Sequence, residues 1–208
     1  MKNLTVVDNP LIKRDVTILR NKNTDPSEFR LALSRVSYAI AIDIAKLFEL
    51  SEFKVETPLE ITNGYELKYQ IVLVPVLRAG LSMVSSFLEM IPEARVGHIG
   101  LQRDEKTLEP IDYYYKTPKN LGESFTILLD PMLATGGSAV ASFNHLKKKG
   151  AGKCVLASLI AAPEGVIKMQ NEHPEIPVYT AAFDRQLNEQ GFIIPGLGDA
   201  GDRTFGTF

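Results

Sequence analysis

The chain reads as α/β, a parallel sheet with helices on both faces, and three observations carry that expectation. Short apolar runs rich in β-branched residues recur at Ile71–Leu77, Phe125–Leu129 and Val155–Ile160, as expected of strands buried on both faces. Each is followed by a loop and then by apolar residues at helical spacing, so strand and helix alternate and parallel pairing through right-handed crossovers follows. Finally, 45% hydrophobic content in 208 residues with a net charge of −2 supplies one full core; it lacks the basic excess of a nucleic-acid binder.

The elements follow in order. Asp25-Pro26-Ser27-Glu28 combines an N-cap carboxylate, a proline at the first helical position and an acidic residue three places on. It opens a long helix whose apolar stripe is Phe29, Leu33, Val36, Ile40, Ile44 and Leu47. The strand Ile71–Leu77 leads through Arg78-Ala79-Gly80 into a helix ending near Ile91, then a strand near Val96 to Leu101. The order repeats as Phe125–Leu129, a helix over Ala139–Lys149, the strand Val155–Ile160, a helix near Gly165–Asn171 and a strand near Val178–Phe183.

Two segments interrupt the alternation. Residues 103–122 are polar, hold Pro110 and Pro118, and read as a protruding two-stranded arm in which Tyr113, Tyr114 and Tyr115 pack or make an oligomer contact. Residues 184–208 are glycine-rich with little periodicity, yet Phe192, Ile193, Ile194, Leu197 and Phe205 are apolar enough to pack as a cap over the sheet edge. No linker or repeat divides the chain, so one domain over 1–208 is expected, with the arm and cap as its excursions.

The most informative stretch is Asp130-Pro131-Met132-Leu133-Ala134-Thr135-Gly136-Gly137-Ser138. A buried strand ends in a carboxylate, and a hydroxyl-flanked Gly-Gly turn then opens a helix. Glycines let the backbone approach an anion, the free N–H groups of the first helical turn donate to it, and the dipole favours negative charge. A Walker loop is excluded, because no lysine follows the glycines. The G-x-G-x-x-G at Gly196–Gly201 is rejected as a dinucleotide fingerprint, because only seven residues follow it. In open α/β sheets ligands bind beyond the carboxyl ends of the strands. Both the Arg78 loop and the Asp130–Ser138 turn belong there, and an elongated ligand with phosphates at both ends would bridge them.

Those residues carry a resemblance. Leu128-Leu129-Asp130 through Ser138 is similar to the phosphoribosyl-diphosphate motif of type I phosphoribosyltransferases. With Val74–Leu81, Arg103-Asp104-Glu105, Leu108-Glu109-Pro110 and Gly191–Asp202, the chain from about Pro10 onward resembles the uracil phosphoribosyltransferases. The resemblance implies a type I phosphoribosyltransferase-like fold with the cap as a hood over the active site, and transfer of the phosphoribosyl group to uracil, giving uridine monophosphate and diphosphate. It implies phosphoribosyl diphosphate contacts from Arg78, Arg103, Asp130, Pro131, Met132, Leu133, Ala134, Thr135, Gly136, Gly137, Ser138 and Asp199. Of these, Arg78 and Arg103 would clamp the diphosphate, Asp130 would accept from ribose hydroxyls, and Asp199 would order water at the metal or take the uracil proton. Uracil, with its acceptor–donor–acceptor edge, would be read by main-chain groups of Ile193, Gly198, Asp199 and Ala200.

Mg²⁺ is the implied cofactor, held by the diphosphate and water and by no direct protein ligand. The resemblance further implies a homodimer or higher homo-oligomer, with guanosine triphosphate as an allosteric activator in some members. Two departures stand out: Pro131 where many type I enzymes carry a second acid, and Gln102 where tyrosine is expected. A different reading, an RNA-binding pyrimidine-operon regulator on the same fold, is disfavoured by the charge balance and the lack of clustered arginines; a transferase for another base is disfavoured by the cap sequence.

The remaining polar residues read as structural. His98, His145 and His173 match no metal-ligand spacing, Lys147–Lys149 complement a helix C-terminus, and Cys154 lies in an apolar run as a packed small side chain. A lone cysteine, an N-terminus without an apolar signal region and no membrane-length apolar stretch point to the cytoplasm, with neither membrane nor nucleic acid as partner.

Overall fold

The computed structural model describes residues 3–103 and 110–207, without the side chains of 101–103 and 110–113. The elements run β1 (Leu4–Val6), α1 (Pro10–Arg20), α2 (Pro26–Ala45), β2 (Leu50–Glu56), β3 (Ile61–Leu67), β4 (Gln70–Leu77), α3 (Leu81–Met90), β5 (Arg95–Val96), β6 (His98–Arg103) and β7 (Pro110–Lys116). There follow β8 (Ser124–Leu129), β9 (Met132–Leu133), α4 (Gly137–Lys148), β10 (Lys153–Ala161), α5 (Pro163–Glu172), β11 (Val178–Phe183), β12 (Gln186–Leu187), β13 (Ile193–Ile194) and α6 (Ala200–Phe205). The main sheet has the order β1-β11-β10-β8-β4-β6-β7, with β5 beside β4 and β9 beside β10. All its pairs are parallel except β6 with β7, as the alternation of elements demands.

Successive residues of β4 feed opposite layers. Ile71 and Leu73 pack with the α1, α2 and α3 residues Leu19, Phe29, Leu33 and Phe87, whereas Val72, Val74 and Val76 pack with Phe143 and Leu146 of α4 and Val166 of α5. The period of two therefore appears as two apolar faces, which is why the strand reads as a continuous hydrophobic run. In α2 the Asp25 carboxylate caps the N–H groups of Ser27 and Glu28, and Phe29, Leu33, Val36, Ile40 and Ile44 are buried as their spacing predicts. Leu47 lies beyond the helix and is 37% exposed.

Three expectations are corrected. The segment 48–69, given no element from its sequence, forms the hairpin β2–β3, a sheet of its own with Phe53, Ile61 and Tyr65 exposed. Neither face is buried against a core, so selection leaves no alternating signal. The arm begins earlier than 103: β6 pairs in parallel with β4 at Val76↔Ile99 before it turns back as β7, and Gly97 marks the break, because a Cβ there would lie 2.8 Å from Thr117. The loop 104–109, including Asp104, Glu105, Leu108 and Glu109, lies outside the described residues. The cap does not cover a lateral edge. It contains the hairpin β12–β13 and the helix α6, and it covers the carboxyl ends of the central strands β4 and β8.

Within the arm, Tyr115 stacks on His145 of α4 with ring centroids 3.9 Å apart, so this tyrosine packs the arm onto the domain. Tyr114 is exposed, and the side chain of Tyr113 lies outside the described residues. His173 packs edge-on against Phe143. Cys154 is buried, which pushes its thiol up to about 11 and leaves it without thiolate character at neutral pH. No helix among the described residues is long and apolar enough to cross a membrane.

Candidate active site

The site is assembled where β4 and β8 end. Leu129 closes the pairing of β8 with β4, and Asp130-Pro131 then interrupts the strand before β9 resumes beside β10 in unchanged register, Leu129↔Ala157 becoming Met132↔Ile160. Proline cannot donate to the ladder, so the break falls there. The Asp130 carboxylate leaves the sheet and accepts one long bond from the Met132 N–H, 3.4 Å. With so little compensation, burial pushes its pKa up to about 6.

The turn that follows is fixed by close backbone contacts. Gly136 has φ +77 and caps α4, and a Cβ on it would lie 3.0 Å from the Gly165 carbonyl oxygen; one on Gly165 would lie 2.5 Å from that of Ala134. The two glycines let the turn rest on the start of α5. Gly137 differs: a Cβ there would meet Thr135 alone, at 3.6 Å, and the residue borders a small recess of about 40 Å³ that Leu133 through Ala139 also line. The N–H groups at the start of α4 have no intrahelical acceptor, and the Thr135 hydroxyl oxygen accepts from that of Gly137 at 3.4 Å. This is an anion cradle in form.

Opposite it lies the loop after β4. Its Leu77–Arg78 peptide is cis, and Gly80 fits because a Cβ would stand 2.3 Å from the Leu129 carbonyl oxygen. Arg78 is exposed and pairs with Asp202 at 3.3 Å. The cap closes the third side. Gly191 (φ +81) comes within 3.8 Å of Thr135 at its built Cβ, and Gly201 within 3.7 Å of the Ala79 methyl. Together they enclose a cavity of about 380 Å³ whose walls include Arg78, Asp130, Ser138, Ile193, Asp199 and Ala200, a volume suited to a small-molecule ligand.

Ile193 of the cap borders that cavity, and its main-chain groups are left unused by the hairpin pairing. Around β13, Phe192 and Ile194 offer their carbonyls to Asn188 and Arg185 on the β12 side, so the polar groups of Ile193 between them point away from β12. Gly198 has φ +81 and is exposed; Ala200 is buried at the first position of α6. Asp199 caps α6, one carboxylate oxygen accepting from the Asp202 N–H at 2.9 Å. The sequence offered Asp199 only a ligand role; here it also starts a helix, the ordinary work of aspartate before such a turn.

Most of the residues singled out from the sequence converge: Arg78, Asp130, Met132, Ala134, Ser138, Ile193, Gly198, Asp199 and Ala200 border the large cavity, and Leu133, Thr135, Gly136 and Gly137 border the recess. Pro131 borders neither, and its carbonyl accepts from the N–H groups of Leu159 and Ile160 of β10. The Leu133 carbonyl is likewise taken by Ala162, with the side chain buried. These two residues belong to the sheet that carries the turn. Arg103 ends β6, and its side chain lies outside the described residues, as does that of Gln102. Sequence reasoning missed Gln190 and Phe192 in the wall and Asp202 beside Arg78.

Comparison with known proteins gives a consistent result. The family profile described as Uracil phosphoribosyltransferase matches residues 6–207. Proteins named uracil phosphoribosyltransferase from Salinibacter ruber and Finegoldia magna are 51% and 49% identical, each covering all of this chain, which spans 99% and 100% of their lengths. A solved structure of a protein from Aquifex aeolicus superposes with a TM-score of 0.91 at 35% identity over 97% of both chains. A purine phosphoribosyltransferase from Pyrococcus horikoshii, at 15% identity with a TM-score of 0.53 over 74% of this chain and 83% of its own, shares the fold. On the match along nearly its whole length, the chain belongs to the uracil phosphoribosyltransferase family, a family of pentosyltransferases.

Proposed function

We propose that this protein transfers the 5-phosphoribosyl group of phosphoribosyl diphosphate to uracil, giving uridine monophosphate and diphosphate. The observation that carries the reading is a cavity joining the Arg78 loop, Asp130 and the cap, with the recess of the Gly-Gly turn adjoining it at Asp130, Met132, Ala134 and Ser138. The turn Thr135–Ser138 takes the 5′-phosphate on free N–H groups, and Asp130 accepts from the ribose hydroxyls. Uracil lies against the cap, where Ile193, Gly198 and Ala200 present main-chain donors and acceptors without side-chain bulk. A cytosine edge would set donor against donor in a desolvated site, which costs more than a weak contact.

In the reaction the ring nitrogen of uracil bonds to the ribose C1 as the C1–oxygen bond to diphosphate breaks, and the nitrogen's proton is lost. Positive charge grows on the ribose and negative charge on the leaving group, so positioning and electrostatic stabilisation dominate. Arg78 supplies a guanidinium to the diphosphate, leaving Asp202 to do so, and Arg103 is assigned the same task. Asp199 keeps one carboxylate oxygen on its helix cap and has the other for the uracil proton or for water. Asp130 and Asp199 both border the cavity, and carboxylates there would suit the water shell of a cation carried in by the diphosphate. Mg²⁺ held in this way would neutralise the departing charge.

The test is a panel of bases assayed for nucleotide formation with phosphoribosyl diphosphate and Mg²⁺. Uracil is expected to be converted and cytosine and purines poorly so, with chelator abolishing turnover; no product from uracil at saturating substrates overturns the reading. Arg78→Ala is expected to lose about 2–4 kcal/mol of transition-state stabilisation. A near-normal kcat/KM for phosphoribosyl diphosphate in that variant would remove the arginine from the mechanism.

A further inference from the structure

The turn proposed to read the base is held from behind by two arginines that border no part of the cavity. Asp184, just past β11 and 4% exposed, accepts both arms of the Arg20 guanidinium at 2.8 and 2.5 Å and the Gly196 N–H at 2.9 Å. Arg20 also donates to the Gly196 carbonyl at 2.9 Å, so both main-chain groups of Gly196 are taken by this pair. No other residue fits there, since φ is +60 and a Cβ would lie 2.1 Å from the Ile193 carbonyl oxygen. One residue on, Arg203 donates to the Leu197 carbonyl at 2.9 Å, to the Asn21 carbonyl at 2.6 Å and to that of Leu19. Its guanidinium sits 4.5 Å above the Phe29 ring, and a Cβ on Gly198 would rest 3.6 Å from its Cδ.

Both guanidiniums are thus tied to the last turn of α1: Arg20 is its final residue, and the Leu19 and Asn21 carbonyls lie at an end where cations complement the dipole. We infer that Arg203 and the Asp184–Arg20 pair are positioning residues for base recognition, clamping Gly196–Leu197 to α1 so that Gly198–Ala200 keep a fixed donor–acceptor pattern toward the uracil edge. The inference rests on the proposed uracil site. The phosphate turn is carried separately, on β9 and α5, so loss of the clamp is expected to weaken uracil far more than phosphoribosyl diphosphate.

Steady-state kinetics of Asp184→Asn, Arg203→Gln and Arg203→Lys, with thermal melts alongside, test this. Loss of a charged, multiply bonded clamp is expected to raise the uracil KM by roughly tenfold or more. The KM for phosphoribosyl diphosphate should stay within twofold, discrimination against cytosine should fall, and Arg203→Lys should recover part of the loss. If Arg203→Gln does not fold, the isosteric Asp184→Asn carries the measurement. A uracil KM within twofold of wild type in Asp184→Asn, or equal rises for both substrates, overturns the positioning role. Wild type in the same assay keeps the two ideas apart: no product from uracil there overturns the base assignment and the inference with it.

Discussion

Asp130 and the glycines beside it show how single residues set the chemistry of this site. The Asp130 carboxylate is desolvated with one weak hydrogen bond, so its folded pKa of about 6 lies above the 3.8 of an ordinary aspartate. Between about pH 4 and pH 6 the folded state therefore binds more proton than the unfolded one, and stability falls as pH rises through that window. Above it the folded chain carries the cost of a carboxylate desolvated in the cavity wall, on the order of 1–3 kcal/mol. Asp130→Asn is expected to raise the melting temperature at pH 7.5, to give no gain below pH 4, and to lose transferase activity; equal stabilisation at both pH values would show that the charge is not the cause. The paired glycines separate fold from ligand. Gly136→Ala forces a side chain into a left-handed backbone and against Gly165, and is expected to destabilise by at least about 1 kcal/mol. Gly137→Ala, in helical backbone with 3.6 Å to its nearest neighbour, is expected to melt normally yet bind phosphoribosyl diphosphate at least tenfold more weakly by calorimetry, because the methyl borders the recess. Normal binding by that variant would move the phosphate elsewhere.

At the scale of elements, legibility followed burial. The helix α2 was readable because its cap, first-turn proline and apolar stripe all agree, and Asp25→Ala is expected to lower Tm by roughly 2–4 °C without changing turnover at 25 °C. Strands β4, β8 and β10 were readable because both faces are covered. The hairpin β2–β3 went unread for the opposite reason: apart from Leu67 at its end, its side chains meet no core, so nothing imposes alternation along it. The cap was read as irregular because β12 and β13 are two residues each, too short to show an alternating period, and because α6 is a helix of six residues started by Asp199.

The whole molecule is two apolar layers on one largely parallel sheet, with every part of the candidate site beyond the carboxyl ends of β4 and β8. The alternation of apolar runs with helical spacing and the motif blocks along the chain determined the fold class and the family, and the Gly-Gly turn after a carboxylate pointed to the proposed phosphate cradle. Those signals are local, because strand and helix periods, turn chemistry and helix starts depend on neighbours within a few residues. What the tertiary structure alone decided is which local pieces meet. It committed Pro131 and Leu133 to pairing with β10, set Asp202 against Arg78 from 124 residues away, and brought Arg20 to Asp184 across 164. Contacts between residues so far apart in the chain leave no periodic trace in it. They follow from how the sheet orders its strands and from the requirement that each buried charge and carbonyl find a partner wherever the packed layers bring one within reach.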